Sequence, residues 1–315
     1  MKAYYSKAYG GSEASVYGDL PDPSAGLGQV LVEVKAVSIN PVDWKIKQGV
    51  ARLVTGFRFP RIFGSDFAGI VRETGEGVSA FKPGDRVYGS RSTVINRHGA
   101  LAELRTVDQE YLRTIPAGMS FEEAASLPVA ALTALNGLRK CDVGAGSYVL
   151  INGGTGGVGH FAVQIARARG AVITATCSEA NRDLARSFGA DEVMGYGREE
   201  LVSCNRKFDA IMDAYGKMNL SLVRQLLKRG GTYASTLFIP PPYLSILFTR
   251  LFHGRRLTSA NMRRRPEDWQ ELEELYAAGK LKPLIENTFP LERAADAFDL
   301  AVNGKPRGKI IVTVA

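Results

Sequence analysis

The sequence predicts an α/β protein in which an all-β unit precedes an open, doubly wound parallel sheet. Three observations lead to this prediction. The first 120 residues contain short apolar segments separated by Gly and Pro, a pattern typical of strands joined by turns. From residue 148 onward, strand-like apolar segments alternate with amphipathic helical segments, as in proteins with a parallel sheet. A glycine-rich turn at 153–159 joins the first of these strands to its helix.

The individual elements follow from residue periodicity and from turn signals. Many short strands in the first part predict a small barrel or sandwich, with strands at 29–37, at 68–75, within 81–88 after a turn, and at 100–107. Ser120 and Glu123 form a capping-box pattern, which predicts the start of a helix continuing over 124–140. The alternating part that follows has predicted strands at 149–151, 172–176, 208–212 and 231–235, and helices at 159–169, 181–188 and 220–227. Helices at 266–278 and 292–302 and a strand at 308–314 complete the prediction.

Composition places the chain among intracellular globular proteins. With 315 residues, 45% of them hydrophobic and 23% charged, the chain is long enough for two ordinary domains. Neither a signal peptide nor an apolar run of membrane-spanning length is apparent. The three cysteines form no Cys-x-x-Cys pair, which fits a reducing compartment. We therefore expect a cytoplasmic protein.

The net charge of +8 raises the question of an anionic partner. The positive charge is spread thinly except for an arginine cluster between 250 and 265, and no nucleic-acid-binding module accompanies it, so no nucleic acid is expected. Just before the cluster, apolar residues recur at helical spacing between 243 and 252. The segment is interpreted as a helical lid or dimer contact, or alternatively as peripheral membrane contact through 243–265.

The glycine-rich turn indicates a dinucleotide-binding site. Gly154, Gly156 and Gly159 fit the spacing Gly-x-Gly-x-x-Gly. In that motif the first glycine permits a tight turn, the second allows close approach of a pyrophosphate, and the third lets helix and strand pack closely. The helix N-terminus then faces the phosphates. The predicted contacts in this turn are Gly154, Gly156, Gly157, Val158 and Gly159.

The residues after the second strand of the alternating part favour NADPH over NADH. NAD-binding sites usually carry an acid about 20 residues beyond the glycines, where this chain has Thr176. A small neutral residue leaves room for a 2′-phosphate, although Glu179 argues the other way. The predicted donors to the 2′-phosphate are Ser178, Asn181, Arg182 and Tyr196.

No metal site is expected. A zinc dehydrogenase typically holds its ion with Cys, His and Glu side chains around an open position. The three histidines, His98, His160 and His253, do not cluster in sequence with the cysteines. His160 lies on the nucleotide helix, where a packing or surface role explains it more readily than ligation does.

Candidate catalytic residues follow the first long strand. Lys45 is a candidate to hydrogen-bond a carbonyl oxygen as negative charge develops there, and Asn40 is a second candidate for orienting that oxygen. Taken alone, Lys45 is better explained as a surface charge. Asp43 either anchors the loop or takes part in the reaction.

Several motifs, taken together, resemble a known family over essentially the full length. They lie at 40–45, 64–69, 82–87, 127–134, in the glycine turn, and at 304–310. The chain resembles the zinc-independent quinone oxidoreductase branch of the medium-chain dehydrogenase/reductases. Within that branch, 40–45 and 176–181 look most like chloroplast envelope quinone oxidoreductases and plant enone reductases.

The resemblance implies a Rossmann NADPH-binding domain at 123–277 and a GroES-like catalytic β-barrel domain at 1–122, completed by 278–315, with the substrate between them. It implies that Lys45 contacts cofactor and substrate. Asn40 and the pair Ser65-Asp66 replace the zinc ligands of metal-dependent relatives. Many relatives bind the 2′-phosphate through a lysine at the position of Asn181, so this chain departs there. Further implied cofactor contacts are Thr133, Ala214 and Lys305, and a homodimer is expected.

These inferences predict a zinc-independent oxidoreductase that uses NADPH. The predicted reaction transfers hydride to a small-molecule acceptor, either a quinone or the C=C bond of an α,β-unsaturated carbonyl compound. The alternative is a non-catalytic NADPH-binding redox sensor or structural protein.

Overall fold

A computed structural model describes residues 1–50, 52–92, 94, 97–237 and 254–315. The chain forms two compact units. The first unit comprises Met1–Val129 together with Ile285–Ala315, and the second comprises Ala130–Leu284. The domain boundaries predicted at 122/123 and 277/278 lie a few residues before these divisions.

The strands are β1 Lys2–Ser6, β2 Ser15–Asp19, β3 Gln29–Ile39, β4 Arg61–Ile62, β5 Asp66–Thr74, β6 Arg86–Ser90, β7 Leu104–Asp108, β8 Leu112–Thr114, β9 Tyr148–Asn152, β10 Val172–Thr176, β11 Glu192–Met194, β12 Phe208–Asp213, β13 Leu227–Ser235, β14 Arg256–Ser259, β15 Ile285–Pro290 and β16 Lys309–Thr313. The helices among the described residues are α1 Pro41–Lys47, α2 Arg52–Thr55, α3 Phe121–Ser126, α4 Pro128–Lys140, α5 Gly159–Ala168, α6 Arg182–Ser187, α7 Arg198–Ser203, α8 Leu220–Leu226, α9 Pro266–Ala277 and α10 Ala294–Asn303.

The first unit is built around the long strand β3. One sheet has the order β15-β16-β3-β5-β6-β8, and β7 also pairs with β3. A smaller sheet has the order β2-β1-β4. The strand β16 comes from the C-terminal segment and pairs antiparallel with β3, with Val312 opposite Val37. Apolar residues of both segments share one core, so the C-terminal segment completes the first unit.

Helices within the first 129 residues depart from the prediction of an all-β segment. The helix α1 begins at Pro41, with Asn40 as N-cap and Asp43 completing a capping box. Pro is well suited to the first helical position because the missing N–H would be unpaired there anyway. The single helix predicted at 124–140 is two helices, separated at Leu127, because Pro128 cannot donate the hydrogen bond that would continue α3.

The second unit contains a six-stranded sheet with the order β11-β10-β9-β12-β13-β14, in which every pairing is parallel. The chain starts at the centre with β9, steps outward to β11, and then builds the other half from β12 to β14. This is the strand order of dinucleotide-binding folds, in which ligands bind at the edge where the strands end. We call that edge the carboxyl edge. The predicted doubly wound parallel sheet is therefore confirmed.

The sequence analysis missed the edge elements of this sheet. Neither β11 nor β14 was predicted as a strand with bounds, because each is short and carries few apolar residues. The amphipathic segment at 243–252 lies outside the described residues, so the structure does not address its interpretation as a helical lid or dimer contact, or the alternative of membrane contact. Among the residues that are described, no helix is long and apolar enough to cross a membrane.

Candidate functional site: a glycine turn and a buried charge cluster

In the turn between β9 and α5, the glycine backbone packs closely against itself and against the neighbouring strand β10. Gly153 has a φ of +82°, which places it in the left-handed region that favours glycine. A Cβ on Gly154 would lie 2.8 Å from Cβ of Ala175 on β10, and a Cβ on Gly159 would overlap the carbonyl oxygen of Gly153. At Gly156 the nearest atom to such a Cβ is 3.4 Å away. The tight turn is therefore made at Gly153, which the sequence analysis had not selected, and Gly154 serves close packing.

A buried carboxylate organises the loops beside this turn. Asp213 ends β12, and its Oδ1 accepts hydrogen bonds from Nδ2 of Asn152 at 2.7 Å and from N of Gly216 at 2.8 Å. Its Oδ2 accepts from N of Met218 at 2.9 Å and from the Tyr233 hydroxyl at 2.8 Å. Burial, followed by the Asp213 charge, raises the pKa of Tyr233, so its phenol stays a neutral donor. Asp213 thus ties the ends of three neighbouring strands to the loop after β12.

The same chain of hydrogen bonds reaches the glycine turn. Oδ1 of Asn152 accepts from Oγ1 of Thr176 at 2.7 Å, and this Oγ1 accepts from N of Gly153 at 3.0 Å. The polar side chains of Asp213, Asn152 and Thr176 are all buried. We call Asp213, Asn152, Thr176 and Tyr233 the Asp213 network. Because Thr176 is engaged inside the protein, its hydroxyl is not directed at a ligand.

The residues predicted to recognise a 2′-phosphate follow β10. Ser178 is exposed, Asn181 is half-buried, and Arg182 begins α6. The Arg182 guanidinium donates to Oε2 of Glu179 at 2.6 Å and to Oε1 of Glu200 at 3.0 Å. These two hydrogen bonds raise the pKa of Arg182. Two carboxylates therefore already balance the charge that the sequence analysis had assigned to the phosphate.

Two other predicted cofactor contacts, Tyr196 and Ala214, lie along the same edge. Tyr196 follows β11 and is 51% exposed, and Ala214 directly follows Asp213 on β12. Thr133 is buried on α4. Since parallel strands end at one edge, the glycine turn, the segment from Ser178 to Arg182, Tyr196 and Ala214 all follow adjacent strands there.

His160 packs against the turn, which is one of the two roles that the sequence analysis favoured over ligation. Its Nδ1 donates to the carbonyl oxygen of Gly156 at 2.9 Å, and its Nε2 accepts from N of Leu284 at 3.2 Å. One ring nitrogen donates and the other accepts, so these bonds select the neutral tautomer with the proton on Nδ1.

In the first unit, the amide of Asn40 is committed to neighbouring side chains. Its Nδ2 donates to Oδ2 of Asp66 at 2.9 Å and to the carbonyl oxygen of Ser38 at 3.2 Å. Its Oδ1 accepts from Nζ of Lys309 at 2.7 Å. Both amide hydrogens of a buried side chain are used in this way. Asn40 thus holds the start of α1 in place, and its side chain is not presented to an acceptor oxygen as the sequence analysis had suggested.

Asp43 anchors the same helix. Its Oδ2 accepts from N of Asn40 at 2.9 Å, and its Oδ1 accepts from Oγ of Ser65 at 2.9 Å. Of the two roles considered from the sequence, these contacts favour the anchor. Burial, followed by the neighbouring Asp66 carboxylate, raises the pKa of Asp43 to about 6.

Two buried cations, Lys309 and Arg105, accompany the carboxyl groups of Asp43 and Asp66. Asp66 also accepts from N of Val129 at 3.0 Å, and burial raises its pKa while Lys309 opposes the shift. Burial lowers the pKa of Lys309, against the attraction of Asp66 and Asp43. Arg105 is also fully buried, and burial together with Arg91 lowers its pKa to about 9, so it remains charged at neutral pH. We call Asp43, Asp66, Arg105 and Lys309 the buried charge cluster.

Lys45 and Lys305 are placed differently. Lys45 lies half-buried on α1, and its Nζ is 5.5 Å from the centroid of the Trp44 ring. Because α1 is fixed at its start by Asn40 and Asp43, the backbone that carries Lys45 is well anchored. Lys305 is exposed in the segment between α10 and β16.

The positions that correspond to zinc ligands in the resemblance are occupied by Asn40, Ser65 and Asp66. Ser65 donates to Asp43, and Asn40 links Asp66 to Lys309, so these side chains satisfy one another. Within the described residues, no group of three or more His, Cys, Asp or Glu side chains is arranged to hold a metal ion.

Sequence reasoning did not single out Gly153, Asn152, Asp213 and Lys309 as site residues. One signal was available: Asn152 and Asp213 are polar residues placed directly after apolar strands, where the carboxyl edge of a parallel sheet lies. For Lys309 there was no local signal, because its partner Asn40 is 269 residues away.

Comparison with known proteins places the chain in a family. Residues 26–117 match the alcohol dehydrogenase GroES-like domain, and residues 188–312 match the family described as zinc-binding dehydrogenase. A chloroplastic quinone oxidoreductase from Triphysaria versicolor is 33% identical, covering 99% of this chain and 98% of that protein. A chloroplastic NADPH-dependent alkenal/one oxidoreductase from Arabidopsis thaliana is 32% identical, covering 99% of this chain and 79% of that protein.

A solved structure supports the same family assignment. The quinone oxidoreductase from Coxiella burnetii superposes with a TM-score of 0.91 at 31% identity, covering 100% of this chain and 99% of that one. The chain belongs to the medium-chain dehydrogenase/reductase superfamily, a class of oxidoreductases built from a GroES-like unit and a parallel α/β sheet. Within that class its relatives include quinone oxidoreductases and enone reductases, so the family resemblance drawn from the motifs is confirmed.

Proposed function

We propose that the protein is an NADPH-dependent, zinc-independent reductase of quinones or of α,β-unsaturated carbonyl compounds. The observation that carries the proposal is the glycine turn at 153–159. It joins the central strand β9 of a parallel sheet to the N-terminus of α5, an arrangement suited to binding a diphosphate. The names of the relatives support the acceptor class, because they include a quinone oxidoreductase and an alkenal/one oxidoreductase.

NADPH, when bound, supplies a hydride to the acceptor. In this proposal the backbone around Gly156 accommodates the diphosphate, since no side chain fills the space there. Lys45 donates a hydrogen bond to the acceptor oxygen and stabilises the negative charge that develops on it. Asn40 and Asp43 act as positioning residues, because they hold the helix that carries Lys45.

Zinc independence is part of the proposal. Asn40, Ser65 and Asp66 present amide, hydroxyl and carboxyl groups where Cys, His and Glu are usual in zinc dehydrogenases. Their mutual hydrogen bonds, together with the Lys309 ammonium, support a site held by side chains alone.

The activity test follows NADPH oxidation with a quinone and with an enone, each in the presence of a metal chelator. We expect turnover that survives the chelator. Replacing Lys45 with Met keeps an unbranched side chain but removes the donor, and is expected to lower kcat about 100-fold. Lys82→Met, at an exposed turn, is the matched control and should leave kcat unchanged. Binding of NADPH without turnover of either acceptor would instead support a redox sensor or structural protein.

Cofactor preference should respond to the carboxylates around Arg182. Glu179→Gln removes one of the two carboxylates that balance the Arg182 charge and thereby makes the guanidinium more available to a 2′-phosphate. Because these ion pairs are solvent-exposed, the expected effect is modest, about a two- to fivefold rise in the ratio of kcat/KM for NADPH to that for NADH. Glu199→Gln, on the exposed side of α7, is the control. An unchanged ratio in Glu179→Gln would show that Arg182 does not contact the phosphate.

A further inference from the structure

His160 connects two parts of the second unit that are far apart in the chain. The residue lies in the first turn of α5 and is fully buried. Its Nδ1 is 2.9 Å from the carbonyl oxygen of Gly156 in the glycine turn, and its Nε2 is 3.2 Å from the backbone N of Leu284. Leu284 is the last residue of the second unit before the chain returns to the first. The imidazole therefore bridges the glycine turn and the segment at which the chain leaves the unit.

These two contacts go beyond packing. The ring does lie against apolar neighbours, since its centroid is 3.9 Å from that of Phe161 and 5.8 Å from that of Phe188. An apolar side chain would satisfy those neighbours as well, without the cost of burying two polar nitrogens. What only the imidazole supplies is a rigid ring with a donor at Nδ1 for Gly156 and an acceptor at Nε2 for Leu284.

The hydrogen bond from Nδ1 helps to fix the orientation of one peptide group in the turn. The Gly156 carbonyl oxygen also accepts from the backbone N of His160 at 3.1 Å, so two donors of one residue hold it. In a trans peptide the carbonyl and the following N–H point in opposite directions. Because the Gly156 carbonyl points along α5, the N–H of Gly157 points the other way, out of the helix N-terminus. Anions bind on that side of a helix.

The Gly157 N–H is available to a ligand. In the part of the chain that the structure describes, this N–H donates to no backbone acceptor, and Gly157 is half-buried. The N–H of Gly156, by contrast, donates to the carbonyl oxygen of Gly153 at 3.0 Å inside the turn. The turn thus uses one glycine N–H for its own structure and presents the next one outward.

We propose that His160 is a positioning residue for the dinucleotide: its Nδ1–H holds the Gly156 carbonyl so that the Gly157 N–H is aimed at the diphosphate. The inference rests on the proposed function, because the diphosphate belongs to the same cofactor. It also gives the backbone of Leu284 an indirect part. The Leu284 N–H occupies Nε2 and so keeps the imidazole in the tautomer that donates to Gly156.

Two substitutions separate the two ends of the imidazole. In His160→Asn the amide nitrogen stands where Nδ1 stands, so the donor to Gly156 remains and the acceptor for Leu284 is lost. In His160→Gln the amide oxygen stands where Nε2 stands, so the acceptor remains and the donor is lost. A positioning role predicts that only His160→Gln weakens the cofactor, whereas a purely structural role predicts that both variants do.

The experiment measures Kd for NADPH, NADH and 2′-AMP, together with kcat at saturating NADPH, for the full-length protein and each variant. NADPH and NADH share the diphosphate, and 2′-AMP lacks it. We expect His160→Gln to weaken both dinucleotides about 10-fold, because a hydrogen bond to a charged group is misdirected. Its Kd for 2′-AMP and its kcat should stay within about twofold of the parent, as should both dinucleotide affinities of His160→Asn.

Gln164→Leu is the matched control. Gln164 lies one turn further along α5 and is buried, and its amide bonds the backbone oxygen of Lys282 at 3.0 Å and the backbone N of Lys282 at 2.7 Å. None of its hydrogen bonds within the described residues reaches the glycine turn. This substitution should therefore lower the free energy of unfolding and leave the Kd for NADPH unchanged.

A measurement on the parent protein keeps the test independent of how the variants fold. In nuclear magnetic resonance spectra of ¹⁵N-labelled protein, the His160 ring should carry its proton on Nδ1. The Gly157 amide signal should shift when NADPH or NADH binds and stay in place with 2′-AMP. A ring protonated on Nε2, or a Gly157 signal that does not respond to either dinucleotide, would contradict the proposal.

Other outcomes also overturn it. Weaker dinucleotide binding in His160→Asn that equals the loss in His160→Gln would indicate a loosened turn, as would a parallel loss of affinity for 2′-AMP. Unchanged dinucleotide affinities in a folded His160→Gln would show that the imidazole does not position the Gly157 N–H, while the proposed function stands. If the parent protein binds neither NADPH nor NADH, the proposed function itself fails.

Discussion

Replacing Lys309 with Met is expected to destabilise the first unit by about 3–5 kcal/mol. Met preserves most of the side-chain volume but removes the ammonium that donates to Asn40 and balances Asp66 and Asp43. The two carboxyl groups would then share a buried site with Arg105 as the remaining cation of the cluster. Breaking one partner of a buried charge pair is costly because the other charge stays buried without compensation.

The effect should depend on pH in a defined direction. The native-state pKa of Asp43, about 6, lies above the ordinary aspartate pKa of 3.8, so the native state binds more protons than the unfolded state between these values. Stability therefore falls as pH rises from about 4 through about 6. Without Lys309 the pKa values of Asp43 and Asp66 should rise further, because a positive charge that lowers both has gone. The loss caused by Lys309→Met is thus expected to be larger at pH 8 than at pH 5.

Urea-induced unfolding of the parent, Lys309→Met and Lys7→Met at pH 5 and pH 8 would measure these differences. Lys7 is exposed, so its substitution serves as a control for removing a lysine without disturbing a buried charge. A variant as stable as the control at both pH values would contradict the view that the cluster is held by charge balance.

Replacing Asp213 with Asn is expected to lower the stability of the second unit by about 3–5 kcal/mol and to weaken dinucleotide binding. The carboxylate accepts four hydrogen bonds, two on each oxygen. An asparagine keeps one accepting oxygen, but its amino group would face two donors and leave them buried and unpaired. Because Asn152 and Gly216 both rely on this carboxylate, the glycine turn and the loop after β12 should loosen together.

The control for this change lies on the same strand. Asp209→Asn removes a half-exposed carboxylate that pairs with Lys228, so a loss within about 1 kcal/mol is expected. Thermal unfolding and the Kd for NADPH of both variants give the comparison. Equal effects from the two substitutions would mean that the Asp213 network has no special part in holding the turn.

The second unit was largely predictable because its signals are local. An apolar strand, a glycine turn and an amphipathic helix follow one another within 20 residues, so the period of the pattern reveals the fold. Even there, ambiguity arose where glycines adjoin, as at Gly153 and Gly154. Spacing alone could not tell which of them adopts a positive φ, since that depends on the contact of Gly154 with Ala175 across the sheet.

The roles of polar side chains were harder to predict than the fold. Arg182 looked available for a phosphate because sequence spacing does not show Glu200, which reaches it from α7. Asn40 looked available for an acceptor oxygen because its partner Lys309 comes from the opposite end of the chain. In both cases the residue type was informative, but its partner is set by tertiary structure, which local pattern does not encode.

The placement of β16 between β15 and β3 also sets an order on synthesis. The chain leaves the first unit at Val129 and returns to it at Ile285, so the second unit emerges from the ribosome while the first still lacks β16. At typical translation rates, roughly 10–40 s separate the emergence of Val129 from that of Lys309. During that interval, the part of β3 that pairs with β16 in the finished fold has no partner, and the carboxyl groups of Asp43 and Asp66 lack Lys309. An unpaired strand edge is prone to pairing with other chains. Newly made protein is therefore expected to depend more on chaperones than the finished fold would suggest.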